Sequence, residues 1–416
     1  MYLNFVKVQN TIQFKIIQPN KNKALSLNTT MKQYRKCVNF YLHEIAKGTA
    51  LADIYQMAKQ QYNLQTGLIQ TARDVAKEQY DSYKNNPDNP KFPHFKGLMT
   101  IRLDHRSISF KETPDEYFHW WANISTVNGK VKVPITSCSE YIQKLKDNTF
   151  NTVQLKYRKG DFYLNVIFEE DKQIPKEKDF KHFIGVDRGS HNNIAVAVVQ
   201  NRNGDILESK FFPAKQVLEK RRRFFLLRRN LGKRKLLKEI KKSKDKERNY
   251  VKDMNHKIST EIVRLASKYS NSVIVLENLK GIRKHMNFGK KGNRKGHSWS
   301  FLLLEEMIVY KAHRNSIAVR RVYPRGTSSV CKNCFGDIKR SPSILAVCEA
   351  CKKKYNADWL GAVNITRRFF FYMSKNLGVS ESRPKQGKDE HAGSAIAPNP
   401  IKDLAHHGLM ARPIAI

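Results

Sequence analysis

Over the first eighteen positions apolar residues alternate with polar ones, at Phe5, Val6, Val8, Ile12, Phe14 and Ile16. A period near two predicts a half-buried strand. The period then lengthens to three or four at Met31, Tyr34, Val38, Tyr41 and Leu42, the signature of a helix, and a second helical stretch runs from Leu64 to about Tyr83. Three prolines in Asn85–Pro93 break the pattern. Strand-like runs return at Met99–Leu103, Ser107–Phe110, Lys130–Pro134, Val153–Tyr157 and Phe162–Phe168, the last two joined by the hairpin signal Arg158-Lys159-Gly160-Asp161. The expectation is a β element with helices inserted into it, ended by the charged linker Asp171–Lys181.

Residues 183–372 read as an α/β domain. Phe183–Val186, Ile194–Val199, Ser272–Leu276 and Ile317–Val322 are apolar strand runs. Helical patterns cover about Pro213–Tyr269, Ser300–Arg314 and Asn356–Met373. From Asn376 onward small, polar and proline residues dominate without apolar periodicity, which predicts a disordered tail.

Charge changes this picture most. The 416 residues hold 77 Lys+Arg against 37 Asp+Glu, a formal charge of +40, so a polyanionic partner is expected. No run approaches the roughly 18 apolar residues of a membrane span, and MYLNFVKVQN has no signal-peptide core, so a soluble intracellular protein is expected. Glu219–Arg248 carries fifteen Lys/Arg against four acids, interleaved with Phe224, Phe225, Leu226, Leu227, Leu231, Leu236, Leu237 and Ile240. That mixture predicts an amphipathic helix or helical pair with one face buried. Four acids cannot pair fifteen bases, so Arg221, Arg222, Arg223, Arg228, Arg229, Lys233, Arg234 and Lys235 are candidate phosphate contacts. His256 reads as a packing or phosphate contact. Arg102, Arg106, Lys91, Lys96, Trp120 and Trp121 are further candidates for nucleic acid, the two tryptophans equally for the core.

Four of six cysteines form two knuckles, Cys331-Lys-Asn-Cys334 and, after thirteen residues, Cys348-Glu-Ala-Cys351. Four thiolates at this spacing make a closed structural Zn²⁺ site. Lys332, Lys339, Arg340 and Lys352–Lys354 surround them and point to a nucleic-acid contact, while Cys37 and Cys138 read as packed thiols. Three acids stand at element ends: Asp187 after FIGV, Glu277 closing SVIVL, and Asp358 in the first turn of the last helix with Asn356 as its cap. Taken singly each reads equally as a surface carboxylate or a helix-dipole partner. Brought together they would repel, and a pair of Mg²⁺ ions would resolve the conflict and bridge a scissile phosphate.

GVDRG (185–189), VLENL (275–279), TSSVCKNC (327–334), CEAC (348–351) and NADWLGAVNI (356–365), in this order, resemble the TnpB family of transposon-encoded RNA-guided nucleases, relatives of compact type V CRISPR effectors. YVKDMNHKIS (250–259) and the run from Trp299 to Val319 also look like family positions. The resemblance is specific over about 183–373 and textural before it. It implies an α/β RuvC (RNase H-like) nuclease domain with a zinc-ribbon insertion, plus an N-terminal wedge β-barrel interrupted by a helical recognition element. The implied segments are barrel 1–18 and 96–178, recognition helices 19–95, nuclease 179–326 with a basic helical insertion, ribbon 327–355, last nuclease helix 356–374 and tail 375–416. Asp187, Glu277 and Asp358 would be catalytic and hold two Mg²⁺, and the partners would be a guide RNA from the transposon end and target double-stranded DNA. The setting would be prokaryotic, cytoplasmic and nucleoid-associated. Arg325, in YPRGTSS, is a candidate transition-state cation or a plain turn residue. The family usually has Asn two residues after the third acid and Gly directly after each knuckle, where this chain has Leu360, Phe335 and Lys352. The alternatives are a compact CRISPR effector, a nuclease-inactive guided repressor, which would have lost an acid, a transposase and a junction-resolving enzyme.

Overall fold

The computed structural model describes residues 5–86, 91–113, 117–147, 150–189, 192–279, 301–340 and 344–374. The expected tail from 375 lies outside the described residues. Lys7–Asp171 forms one compact unit and the chain from Lys172 onward the other.

In the N-terminal unit β1 (Phe5–Ile16) buries every second residue from Val8 to Ile16. Helices α1 (Lys21–Lys47), α2 (Leu51–Gln61) and α3 (Thr66–Lys84) follow. The side chain of Asn20 caps the start of α1 by accepting the N–H of Lys23. Then come β2 (Ile101–Leu103), β3 (Ile108–Glu112), β4 (Trp120–Thr126), β5 (Gly129–Thr136), α4 (Ser139–Asp147), β6 (Phe150–Arg158) and β7 (Asp161–Gln173). The sheet order is β2-β6-β7-β1-β5-β4-β3. Its two end strands are consecutive in the chain, and Phe110 of β3 meets Phe150 of β6 edge-on with centroids 5.2 Å apart, so the sheet nearly closes into a barrel. Tyr34, Val38 and Tyr41 of α1, Leu68 and Ala72 of α3, and Phe14, Leu155 and Val166 of the sheet share one core.

The sequence pattern located β1, α1, α3 and the β6–β7 hairpin. It missed α2, which buries only Ile54 and Ala58, and α4, which is short and half-exposed. It also left β4 unassigned, although Trp120, Ala122 and Ile124 face the core. The Asp171–Lys181 segment is less linker-like than expected: β7 runs on to Gln173 and a 3₁₀ turn occupies Glu177–Asp179.

The C-terminal unit contains β8 (His182–Asp187), β9 (Asn193–Asn201), β10 (Ile206–Pro213), α5 (Lys215–Lys233), α6 (Leu237–Ser267), β11 (Ser272–Glu277), α7 (Phe301–Arg314) and β12 (Ala318–Val322). After them come β13 (Ile338–Arg340), β14 (Leu345–Cys348), β15 (Lys354–Asn356) and α8 (Ala357–Ser374). The main sheet has the order β10-β9-β8-β11-β12, with β8, β9 and β10 antiparallel and β11 and β12 parallel to β8. Both faces are covered, which explains why these strands read as continuous apolar runs. Ile184, Val186, Ile274 and Leu276 pack with Ile258 and Ile262 of α6 and Leu304 and Ile308 of α7. On the opposite face Phe183, Val273 and Val275 pack with Ile365 and Phe369 of α8. β10 escaped the pattern because Glu208 and Lys210 alternate with its apolar residues, as suits a half-exposed edge strand.

The expected helical region from Pro213 to Tyr269 is two helices, broken at 234–236 where Lys235 takes a left-handed φ of 56°. The expected buried face is only partly realised. Within α5 only Val217 is buried, and Leu226, Leu227, Leu236 and Leu237 are exposed. Among the described residues no helix is long and apolar enough to cross a membrane.

Candidate active site

The two-residue period of a strand decides where the first two acids point. Phe183 and Gly185 of β8 face α8, so Asp187 does too; Val273 and Val275 of β11 face α8, and Glu277 follows them. Helix α8 lies unusually close to β8. A Cβ on Gly185 would sit 2.1 Å from the Ala362 carbonyl oxygen, and one on Gly361 would sit 2.5 Å from Oδ2 of Asp187. Those two glycines let the helix bring Asp358, one turn before Gly361, beside Asp187. The Asn356 side chain caps α8 as expected, accepting the N–H groups of Asp358 and Trp359 at 3.1 Å each.

Two of the acids are held by neighbours. Asn193, at the start of β9, donates to Oδ2 of Asp358 at 2.8 Å. The hydroxyl of buried Thr327 lies 2.5 Å from Oε1 of Glu277. Thr327 is fixed in turn by Asn364 of α8, whose side-chain nitrogen donates to the carbonyls of Thr327 and Val330. Burial, with the charges of Glu277 and Asp358, pushes the Asp187 carboxyl well above its ordinary range. Burial likewise raises Glu277, opposed by the Thr327 hydrogen bond and by Arg188, Arg368 and Arg340. Hard carboxylates that repel one another in an enclosed place are a donor set that fits Mg²⁺.

Nothing in the sequence marks Asn193 or Thr327 for this site, and Arg340 reads there only as one of the bases around the knuckles. Arg340, on β13, lies close enough to oppose the charge of both Asp187 and Glu277. Arg325 is exposed, and its contribution is a main-chain carbonyl that accepts from buried Arg368. Leu360 is fully buried with Ala346 and Ala357 against the ribbon.

The four knuckle sulfurs are the one group of three or more metal-type donors gathered this closely among the described residues, all within 4.8 Å of one another; the oxygens of Asp187, Glu277 and Asp358 do not draw together as such a group. Sγ of Cys331 is 3.7 Å from that of Cys351, and Sγ of Cys334 is 3.4 Å from that of Cys348. A tetrahedron with Zn–S bonds of about 2.3 Å has edges of about 3.8 Å, so the cluster is consistent with zinc. Burial raises the Cys331 thiol, but hydrogen bonds from the Tyr355 hydroxyl, the Cys334 and Asn333 amides and Cys351 outweigh it and bring it down to about 6. Phe335 and Lys352, directly after the knuckles, have φ of 59° and 55°. In that left-handed region a Cβ is costly and Gly carries no such penalty.

The ribbon is tied to the acids through aromatic rings. Tyr355, whose hydroxyl contacts the Cys331 sulfur at 3.3 Å, stacks on Trp359 with an interplanar angle of 12°. Trp359 follows Asp358 directly, and Lys332 lies 5.2 Å from its ring centroid.

The candidate phosphate contacts divide. Arg221 and Arg228 both turn to Glu247 of α6, at 3.9 and 2.5 Å, whereas Arg222, Arg223, Arg229, Lys233, Arg234 and Lys235 are exposed. His256 packs between helices: its ring meets the Tyr310 hydroxyl at 3.4 Å and its carbonyl accepts from Lys311. In the N-terminal unit Arg102 pairs with Glu78 and Arg106 with Asp104. Lys91 and Lys96 are exposed, Trp120 is core, and Lys132 covers the ring of Trp121. Cys37 is buried, its thiol pushed up to about 12 by burial, but Cys138 is exposed, contrary to the expectation of two packed thiols.

Comparison with known proteins bears on the chain as a whole rather than on these residues. The family model described as Cas12f1-like, TNB domain, matches residues 301–365. The CRISPR-associated endodeoxyribonuclease Cas12f1 of Sulfoacidibacillus thermotolerans is 29% identical over 231 residues, covering 50% of this chain and 50% of that protein. The match thus spans about half the length of that relative. A TnpB-like protein of Methanocaldococcus jannaschii is 25% identical over 227 residues, covering 51% of this chain and 81% of that protein. Among solved structures, the Cas12f1 chain of a Cas12f1–sgRNA–target DNA complex superposes with a TM-score of 0.58 at 16% identity, covering 84% of this chain and 83% of that one, a likeness of fold. The two relatives and the matching domain model converge on one group of proteins: the chain is a distant homologue of TnpB-like proteins and of Cas12f1.

Proposed function

We propose that this protein is an RNA-guided, metal-dependent DNA endonuclease of the transposon-encoded kind, with a RuvC-type, RNase H-like nuclease domain. The observation that carries the reading is the gathering of Asp187, Glu277 and Asp358 on the α8 side of the five-stranded sheet. The sheet order supports it: three antiparallel strands followed by two parallel ones place the ends of β8 and β11 side by side. The three acids would hold two Mg²⁺ ions, which when bound supply charge neutralisation and polarise the scissile phosphate.

The chain's own groups do the rest. Asn193 and Thr327 orient Asp358 and Glu277. Arg340 adds positive charge where the phosphate gathers negative charge as water attacks and the bond to the 3′ oxygen breaks. The products carry 5′-phosphate and 3′-hydroxyl ends. The ribbon, with Zn²⁺ on Cys331, Cys334, Cys348 and Cys351, braces the loop that carries Thr327 and offers its lysines to target DNA. The exposed bases of α5 and of the 234–236 break neutralise phosphates without reading sequence. The N-terminal unit serves as the wedge barrel and recognition helices, which hold the guide and read a short motif beside the target.

The test is to express the gene with its flanking DNA, purify the full chain, sequence the RNA that stays bound, and assay cleavage of a plasmid matched to that RNA. The expected outcome is one discrete RNA species, with a constant structured part joined to a variable end, and Mg²⁺-dependent cutting. Its map position, at a transposon end or in a repeat array, identifies the genomic setting. Asp358→Ala should abolish cutting while the RNA stays bound. Cutting by Asp358→Ala at the wild-type rate would overturn the site assignment, and random host RNA would overturn guidance.

A further inference from the structure

Glu305 is the one acid less than a tenth exposed among the described residues, at 5%, and nothing in the proposed chemistry uses it. It projects from α7 onto the face of the sheet opposite to α8. Its Oε2 accepts from Nη1 of Arg188 at 2.6 Å, and its Oε1 accepts from Nε of Arg321 at 2.6 Å. The strand period explains the meeting: Ile184 and Val186 point to α6 and α7, and Arg188 continues that row, just as Asp187 continues the other.

Arg188 has a fully buried side chain, and its second terminal nitrogen, Nη2, donates to the main-chain carbonyl of Glu277 at 2.5 Å. One planar guanidinium therefore links the residue after the first acid to the backbone of the second acid, from behind the site. A buried guanidinium needs a counter-charge. Glu305 supplies it on the far face; without it, the negative groups next to hand are Asp187 and Glu277, and both already sense Arg188. A guanidinium drawn toward them would let go of the Glu277 carbonyl.

We infer that Glu305 is a positioning residue, anchoring Arg188 so that it braces the Glu277 main chain behind the carboxylates that would hold the divalent ions. The inference rests on the metal-site reading above and assigns that site a support on the opposite face of the sheet.

The test compares Glu305→Gln, Arg188→Met and the double variant in the full chain, with Asp187→Asn as the blank. Three readouts are taken: Mn²⁺ bound, from the electron paramagnetic resonance signal of free Mn²⁺; DNA cleavage against Mn²⁺ concentration; and Tm. Glu305→Gln should raise the half-saturating Mn²⁺ about tenfold in both titrations, the usual effect of losing an outer support of a metal site. The double variant leaves no uncompensated buried charge, so its Tm should return toward wild type while its half-saturation stays raised. A double variant that regains both would show Glu305 to be purely structural and overturn the inference, even if Glu305→Gln alone fails to fold. Wild-type Mn²⁺ titrations of Glu305→Gln would overturn it as well. Wild-type Mn²⁺ binding and cleavage by Asp187→Asn would instead sink the metal-site reading and take this inference with it.

Discussion

The four thiols of the ribbon and the three carboxylates of the five-stranded sheet sit in one unit and make opposite demands on the fold. The thiols come from two short knuckles, each a tight turn, and the small antiparallel sheet β13-β14-β15 needs only to bring those turns together. Its acceptors are pre-paid by local amides, such as Asn333 N–H to the Cys331 sulfur at 3.3 Å and Cys351 N–H to the Cys348 sulfur at 3.4 Å. The carboxylates come from two strands and a helix far apart in the chain, and nothing local holds them together. Their gathering depends on the close β8–α8 contact at Gly185 and Gly361 and is opposed by burial and mutual repulsion. On the proposed reading, one centre would support the fold once Zn²⁺ is bound, whereas the other would strain it until a divalent cation arrives.

That contrast can be broken at the ribbon first, where the largest effect is expected. Cys348→Ser should release zinc and destabilise the C-terminal unit by about 4 kcal/mol or more, read as loss of metal by elemental analysis and a lowered Tm. An unchanged Tm would mean the sulfurs brace nothing. At the carboxylates the sign should reverse. Asp187→Asn should abolish cleavage yet stabilise the Mg²⁺-free protein by about 1.5 kcal/mol, because it removes one of three mutually repelling carboxylates. A lower Tm for this variant in Mg²⁺-free buffer would contradict the repulsion argument.

The smallest effect sharpens the account of the knuckles. Lys352 is exposed and left-handed, so Lys352→Gly should add about 1 kcal/mol without altering zinc content. Phe335 is a poorer test, since Arg367 lies 5.4 Å from its ring centroid and that contact would be lost too. Thermal melts of the two variants side by side separate backbone strain from ring packing.

Legibility in the sequence followed the same division. The knuckle spacing was enough to name the sulfur cluster, and the apolar runs FIGV and SVIVL were enough to place two acids at strand ends. Elements that combine charge with half-exposure were not legible, as β10 and α4 show. The leucines of the α5–α6 junction misled in the other direction: their pattern promised a buried face, and the helices leave Leu226, Leu227, Leu236 and Leu237 exposed. Periodicity reports which face is apolar, and only the neighbouring elements determine whether that face is covered.

Strand pattern, cap residue and cysteine spacing are local properties, carried by a few bonds of backbone geometry, so residue order alone placed Asp187 and Glu277 at strand ends and the start of α8 at Asn356, and marked the zinc-type cluster. The partners of those residues are another matter. Asn193 on Asp358, Thr327 on Glu277, Arg340 near Asp187 and Glu277, and Glu305 behind Arg188 are contacts between distant segments. They exist because a buried charge or polar group must find compensation wherever packing brings it, and that place is set by the assembled fold.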